Sequence, residues 1–336
     1  MPRPPSSDEP LAVVAATDDG FAMPTVVALS SVARRSSVPL ALHVIDGGMS
    51  ETIADRLWGA LGRVSVRAGQ RGMPVHVAVH RPSSSQVQDL PTHAHITTPT
   101  YLRMLIPELL PEARRAVYLD GDVLATGDIA ELADVPLVDP AGRPAPAAGE
   151  VSYPLGTLAG RRDQYRPEGF APCYVGRDLP MDTPYMNAGV LVLDLDVWRS
   201  EALARSVLED IRTHVDSYAL MDQDGLNAVL AGRWARLPPR WNVRAGTALK
   251  GAVLPELSEV RLLHFTTGRK PWLGRYDDLE RLGEPLPSYR KAWFAEAEQS
   301  GWFSAESWEA FRRRAALQRN LRRVLKGARR GPRRSR

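Results

Sequence analysis

The sequence predicts an α/β fold built on βαβ units, and three observations carry that reading. Apolar runs of strand length alternate with segments of helical periodicity through the first eighty residues. The runs stop at turn residues, Thr17-Asp18-Asp19-Gly20 and Asp46-Gly47-Gly48. The chain has 336 residues, 44% hydrophobic and 24% charged, enough for one large α/β domain or two modest ones with a sizeable core.

The elements follow in order. Leu11-Ala12-Val13-Val14-Ala15-Ala16 reads as a first strand, and 24–35 as a helix with Val26, Val27, Leu29, Ser30, Val32 and Ala33 at helical spacing. A second strand runs from Pro39 to Ile45. Ser50 is placed to cap a helix over 51–62 that carries Ile53, Leu57 and Leu61 on one face. Val75 to Val79 is a third strand. Strands and helices in this alternation predict a parallel sheet, whose ligands sit at the carboxyl ends of the strands. A helix over 99–109 leads to the short strand Ala116-Val117-Tyr118-Leu119, which ends directly in Asp120-Gly121-Asp122. Residues 136–184 are rich in Pro and Gly with little periodicity, and read as a lid or acceptor-binding excursion. Regular structure resumes with a strand at 189–195, helices at 203–215 and 224–231, and a strand at 260–265. Residues 288–336 read as a C-terminal basic segment, helical over 288–328 with a disordered Arg-rich end. The first ten residues read as a disordered N-terminus, which leaves 11–287 as the main domain.

Charge is unevenly distributed. Twelve of the 43 Lys and Arg lie between Arg312 and Arg336, with no Asp or Glu among them. The rest of the chain has 31 basic against 39 acidic residues, a net of −8. An acidic body with a basic tail points to a local contact with an anionic surface rather than to a nucleic-acid-binding face. The single cysteine, Cys173, excludes an intrachain disulfide and fits a reducing compartment. Residues 1–10 lack the basic-then-apolar order of a signal peptide, and no run of about 18 apolar residues occurs. A cytoplasmic location is therefore expected, peripheral to the inner face of the plasma membrane if the tail binds there.

Two carboxylates at i and i+2 just past a buried strand can face one cleft, with Gly121 permitting the turn. Such a pair suits a hard divalent cation together with a substrate diphosphate. Taken alone, the tripeptide fits an ordinary solvated loop equally well.

Its surroundings are more specific. Tyr118-Leu119-Asp120-Gly121-Asp122-Val123-Leu124 resembles the metal-binding strand end of glycosyltransferase family 8, which includes bacterial lipopolysaccharide galactosyl- and glucosyltransferases and glycogenin. Further segments resemble the same family in the same order: Ala15-Ala16-Thr17-Asp18-Asp19, His43-Val44-Ile45-Asp46-Gly47-Gly48-Met49-Ser50 and Thr100-Tyr101-Leu102-Arg103. So do Tyr185-Met186-Asn187-Ala188-Gly189, Met221-Asp222-Gln223-Asp224-Gly225-Leu226-Asn227 and His264-Phe265-Thr266-Thr267-Gly268-Arg269-Lys270. The resemblance implies a GT-A type nucleotide-sugar-binding, Rossmann-like mixed sheet flanked by helices, and a retaining transfer of glucose or galactose. The donor would be UDP-glucose or UDP-galactose, and the acceptor a cell-envelope glycan or lipid-linked sugar.

The resemblance also distributes roles. Asp120, Asp122 and His264 would ligate Mn²⁺ or Mg²⁺, the imidazole favouring a transition metal. Ala16, Thr17, Asp18 and Phe21 would hold the uridine, Phe21 by stacking. The family commonly has Asn where this chain has Gly20, and Tyr where it has Phe21. Arg103 and Lys270 would contact phosphate or sugar, together with Gly121, Ala188 and Gly268. Family members often place Gly where this chain has Thr267, so the phosphate-binding turn is expected to shift onto Gly268. Asn187, Asp222 and Gln223 would face the donor sugar as catalytic residues, and Glu150 is a looser candidate for a sugar contact. A neutral amide is a poor nucleophile, so departure and attack on one face of the sugar is favoured over double displacement.

Trp302, Phe303, Trp308 and Phe311 precede a stripe of Leu317, Leu321, Val324 and Leu325, which makes 312–336 a candidate for anionic membrane or for a solvated helix. Two rival readings exist. A nucleotidyltransferase also uses paired Asp, but needs a basic Gly-rich phosphate loop that is missing near the N-terminus. A catalytically degenerate sugar-nucleotide-binding protein is suggested by Gly20 and Thr267-Gly268.

Overall fold

The computed structural model describes residues 9–83, 87, 89, 90, 98–135, 151–154, 172–174, 176, 177, 185–230, 233–273 and 276–329. Its strands are β1 (Leu11–Thr17), β2 (Leu40–Asp46), β3 (Val75–His80), β4 (Arg115–Leu119), β5 (Val123–Ala125), β6 (Val151–Pro154), β7 (Val190–Asp194), β8 (Arg236–Leu237), β9 (Val243–Arg244) and β10 (Leu262–His264). They form a seven-stranded sheet in the order β3-β2-β1-β4-β7-β6-β8 and a three-stranded sheet in the order β5-β10-β9.

β1 is central, and all seven of its residues are buried. This is why it reads as a continuous apolar run rather than an alternating one. Ala12, Val14 and Ala16 pack on one face, against Tyr101 and Met104. Leu11, Val13 and Ala15 pack on the other, against Val26, Leu29 and Leu57. β3, β2, β1 and β4 are parallel, as the βαβ pattern requires. β7 departs from that pattern and runs antiparallel to β4. It starts beside the carboxyl end of β4, where Asp120 N–H donates to Gly189 O (2.9 Å), and can only run back along that strand. The large sheet is therefore mixed.

The helices are α1 (Ala22–Arg35), α2 (Glu51–Gly69), α3 (Thr98–Leu102), α4 (Ile106–Leu109), α5 (Leu195–Ser200), α6 (Leu203–Thr213), α7 (Asp222–Leu230), α8 (Asp277–Glu280), α9 (Leu286–Gln299) and α10 (Ala305–Arg329). α2 runs past the expected residue 62 because Val64 and Ala68 continue its buried stripe. Ser50 stands at its N-terminus without a side-chain cap; its Oγ and N–H both bond Asp19 Oδ1 (3.1 and 2.8 Å), tying the turn after β1 to the turn after β2. The helix expected over 99–109 is broken by a 3₁₀ turn at Arg103–Leu105, and Pro107 lies in the first turn of α4, where a missing N–H does no harm.

The helical stretch expected over 288–328 is likewise interrupted. Gly301, at φ +84°, turns the chain between α9 and α10. Three arginines of α2 hold that turn: Arg67 donates to Gln299 O (2.7 Å), Arg63 to Gly301 O (2.7 Å) and Arg56 to Trp302 O (3.1 Å). Trp308 and Phe311 do not project from the body. Trp308 is buried, and Phe311 lies 4.9 Å from Phe303 and 5.7 Å from Trp308 between ring centroids. Leu317, at 60% exposure, is the first residue of the tail stripe to face solvent. Residues 1–8, most of 136–184 with Glu150, and the end from 330 lie outside the described residues.

Candidate active site

The turn Asp120-Gly121-Asp122 links the two sheets. Asp120 leaves β4 of the large sheet, and Val123 opens β5 of the small one. β5 pairs antiparallel with β10 so that Val123 faces His264 across the ladder, and Phe265 N–H donates to Asp122 O (3.0 Å). This pairing brings residues more than 140 positions apart into one site.

Gly121 serves a purpose other than the one expected of it. Its backbone is not left-handed, but a Cβ there would collide with Thr25 Oγ1, which bonds buried Thr17 Oγ1 (3.1 Å). Close packing, not turn geometry, requires glycine here.

Asp120, Asp122 and His264 offer three ligand atoms within 4.8 Å of one another. His264 Nε2 lies 3.1 Å from Asp122 Oδ1 and 3.7 Å from Asp120 Oδ2. Two carboxylate oxygens and an imidazole nitrogen converging in this way form a donor set that fits Mn²⁺ or Mg²⁺. The other oxygens are braced. Asp120 Oδ1 accepts from Tyr118 Oη (3.0 Å) and Arg103 Nη2 (3.1 Å), and Asp122 Oδ2 pairs with Lys270 Nζ. Burial raises the Asp122 pKa, but Lys270 and His264 outweigh it and hold this carboxyl well below the usual range.

Arg103 stands behind this pair rather than out in the cleft. Its Nε donates to Thr100 O (2.9 Å), its Nη1 to Ala188 O, and its guanidinium lies 4.4 Å above the Tyr118 ring. Its Nε is also 3.2 Å from Asp222 Oδ2 as an ion pair, and that buried oxygen has no well-aligned hydrogen bond among the described residues. Burial pushes the Asp222 carboxyl up to about 7, although Arg103 pulls the other way. The folded pKa thus exceeds the unfolded one, and the fold loses stability as pH rises from about 4 to about 7. Asp222→Asn is expected to flatten this dependence. The difference in unfolding free energy between pH 5.5 and 8, about 2 kcal/mol from this one group, should shrink in denaturant titrations.

Asn187 and Gln223 are joined to His264 by buried amides. Gln223 Oε1 accepts from Asn187 Nδ2 (2.8 Å) and Ala188 N–H (3.0 Å), while its Nε2 donates to Tyr185 Oη (2.9 Å). Asn242, which no sequence signal marked, lies between Asn187 Oδ1 (2.9 Å) and His264 Nδ1 (2.8 Å). Asp224 and Asn227 anchor the network. Asp224 accepts from Tyr185 Oη (2.5 Å) and Ala219 N–H (2.8 Å), and Asn227 brackets the Met186 peptide.

Phe21, 39% exposed, meets Trp272 edge to face at 6.3 Å, with Lys270 Nζ 5.7 Å from its centroid. Asp18 Oδ1 accepts from Phe21 N–H (3.0 Å), closing the loop after β1, while Ala16 is buried at the end of that strand. Thr267, where family members often have Gly, itself takes the left-handed backbone at φ +79°, and Gly268 does not. A β-branched residue is strained in that region by about 1–3 kcal/mol. Thr267→Gly should therefore raise unfolding stability by about 1 kcal/mol, read as a higher denaturation midpoint with unchanged m-value. A lower midpoint would mean that the bond from Arg269 N–H to Thr267 Oγ1 outweighs the strain.

A mixed sheet with paired carboxylates and a histidine at the end of a central strand is the architecture of GT-A glycosyltransferases. The galactosyltransferase LgtC in complex with donor and acceptor sugar analogues superposes with a TM-score of 0.66 at 21% identity, covering 90% of this chain and all of that one. The profile of glycosyl transferase family 8 matches residues 12–275, and the chain belongs to that family. General stress protein A of Bacillus subtilis is 29% identical over 284 residues, 79% of this chain and 88% of the relative. Lipopolysaccharide 1,3-galactosyltransferase of Salmonella typhimurium is 23% identical over 207 residues, 58% of this chain and 56% of the relative.

Proposed function

We propose that the chain is a retaining hexosyltransferase that moves glucose or galactose from a UDP-sugar to a cell-envelope glycan or lipid-linked acceptor. The observation that carries this is the convergence of Asp120, Asp122 and His264 at the end of β4, with Lys270 beside them. Asp120, Asp122 and His264 would hold Mn²⁺ or Mg²⁺, which would supply a Lewis acid to offset charge on the leaving diphosphate. Lys270 moves from Asp122 to the phosphate as a compact cation. Asp18 and Phe21 take the base, and the Salmonella and LgtC galactosyltransferases support a hexose as the transferred group.

Gln223 Oε1 already accepts two hydrogen bonds, which disfavours it as a nucleophile and supports a reaction on one face of the sugar. The bond from the anomeric carbon to the diphosphate oxygen breaks, the bond to the acceptor oxygen forms on the same side, and the acceptor proton goes to the departing phosphate. Arg103 holds Asp120, and Asp222 and Asn187 position the sugar. The reading is tested by UDP-sugar hydrolysis across a panel of donors, with Mn²⁺ and with EDTA. Metal-dependent turnover of one UDP-hexose is expected; no turnover with any donor, together with no UDP binding, would remove it.

The basic tail is proposed to rest on anionic lipid, where each Lys or Arg near the surface contributes about 1 kcal/mol. No helix among the described residues is long and apolar enough to cross a membrane. Because Trp308, Phe311 and Ala315 pack on the body, the informative comparison is the full chain against a chain ending at residue 318. Only the full chain should sediment with phosphatidylserine vesicles, and equal sedimentation would sink the idea.

A further inference from the structure

We infer that Asn242 is a positioning residue for the metal site: it fixes the tautomer of His264 and links that choice to the orientation of Gln223. The inference rests on the metal reading of Asp120, Asp122 and His264.

One group at the site has a fixed polarity. The N–H of Ala188 can only donate, and it points at the Gln223 side-chain amide (3.0 Å), so the atom it meets is the carbonyl Oε1. The same Oε1 faces Asn187 at 2.8 Å, which makes the Asn187 atom its NH₂ and turns its Oδ1 the other way. The Gly189 N–H lies 3.4 Å from that Oδ1 and favours the same orientation. Asn187 Oδ1 then requires a donor from Asn242, which is its NH₂ at 2.9 Å. What Asn242 has left for His264 is its carbonyl oxygen, 2.8 Å from Nδ1. Nδ1 must carry a proton to meet it. In the neutral ring, Nε2 is left with its lone pair directed at Asp120 and Asp122, as a metal ligand requires.

The chain closes at the other end without ambiguity. Gln223 Nε2 donates to Tyr185 Oη (2.9 Å), whose proton goes to Asp224, and Asp224 Oδ2 accepts from the N–H groups of Ala219 (2.8 Å) and Leu220 (2.6 Å). Backbone N–H groups at 188 and at 219–220 thus set the direction of every bond between them. Asn242 is fully buried, so its two partners are out of reach of bulk solvent. It is placed by the short 3₁₀ turn Pro239–Trp241 before it and by β9, which pairs parallel with β10 beside His264.

The test is the Mn²⁺ affinity of the full-length protein without donor, measured by electron paramagnetic resonance. Asn242→Ala is expected to weaken it 10- to 100-fold, the usual effect of removing a partner of a metal-bound histidine. Asn242→Asp keeps an acceptor for Nδ1–H but loses the donor to Asn187 Oδ1, so it is expected to recover Mn²⁺ affinity to within a few-fold while releasing the hold on Gln223. Equal Mn²⁺ affinity in wild type and Asn242→Ala overturns the inference while leaving the metal reading intact. No Mn²⁺ binding by wild type overturns the metal reading, and the inference with it. If Asn242→Ala does not fold, wild type alone decides through the ¹⁵N resonances of His264 in the metal-free protein at a pH where the ring is neutral, assigned by their loss in His264→Ala. A proton on Nδ1 supports the inference, and a proton on Nε2 overturns it.

Discussion

Asp122→Asn is expected to reduce metal-dependent UDP-hexose hydrolysis by two to three orders of magnitude, about 3–4 kcal/mol of barrier. The substitution preserves shape and removes a negative charge that lies 3.1 Å from His264 and pairs with Lys270. Mn²⁺ affinity should fall with the rate. Because the folded Asp122 pKa lies below the unfolded one, its ionised form stabilises the fold above about pH 4, and that contribution is lost as pH falls through the folded value. The variant should therefore also denature at a lower temperature near neutral pH. Wild-type hydrolysis and Mn²⁺ affinity in Asp122→Asn would take the residue out of the metal site.

Gly189→Ala should damage the same site from behind. A Cβ at 189 would strike His264 Cε1 and come within 2.7 Å of Asp120 Oδ2 and 2.9 Å of His264 Nδ1. Neither side chain can retreat easily, since His264 is held by Asn242 and Asp120 by Tyr118 and Arg103. Overpacking of this kind costs about 1–3 kcal/mol of stability, and the displaced ligands should weaken Mn²⁺ binding at least tenfold. Gly268→Ala is the control. Nothing lies within 4 Å of a Cβ there and its φ is not left-handed, so the melting temperature should hardly move. A Gly189→Ala protein with wild-type Mn²⁺ affinity would show that the site relaxes around the methyl group.

The contrast between these glycines shows where reading the sequence succeeds. The apolar runs of β1, β2 and β4 and the turn residues that end them were legible because strand period and turn chemistry are local. Asp120, Asp122 and His264 were legible as a set because they sit in segments that resemble one family in order. Asn242 carried no signal: its role depends on β9 lying beside β10, a pairing that no short-range pattern encodes. Gly189 was visible only as part of a motif, since the reason for it is the position of His264 in space. Gly121 was legible as a requirement but for the wrong cause, a turn in place of a close contact with Thr25. Thr267 was the reverse case. Residue type pointed to Gly268, but the left-handed backbone lies at Thr267 at the expense of local strain.

Asp120 hangs from the large sheet, while Asp122 and His264 belong to the small one. A ligand that grips all three side chains would add a polar tie between two sheets already joined by the apolar packing of Val123, Ala125 and Leu262. Release of such an ion and loosening of the three-stranded sheet would then be coupled, because a ligand that favours the joined form shifts the opening equilibrium by mass action. Chelation should show first as faster amide exchange in β5 and β10, with β1 and β2 still protected. On this account a cation held by Asp120, Asp122 and His264 would act as a clasp between the two sheets.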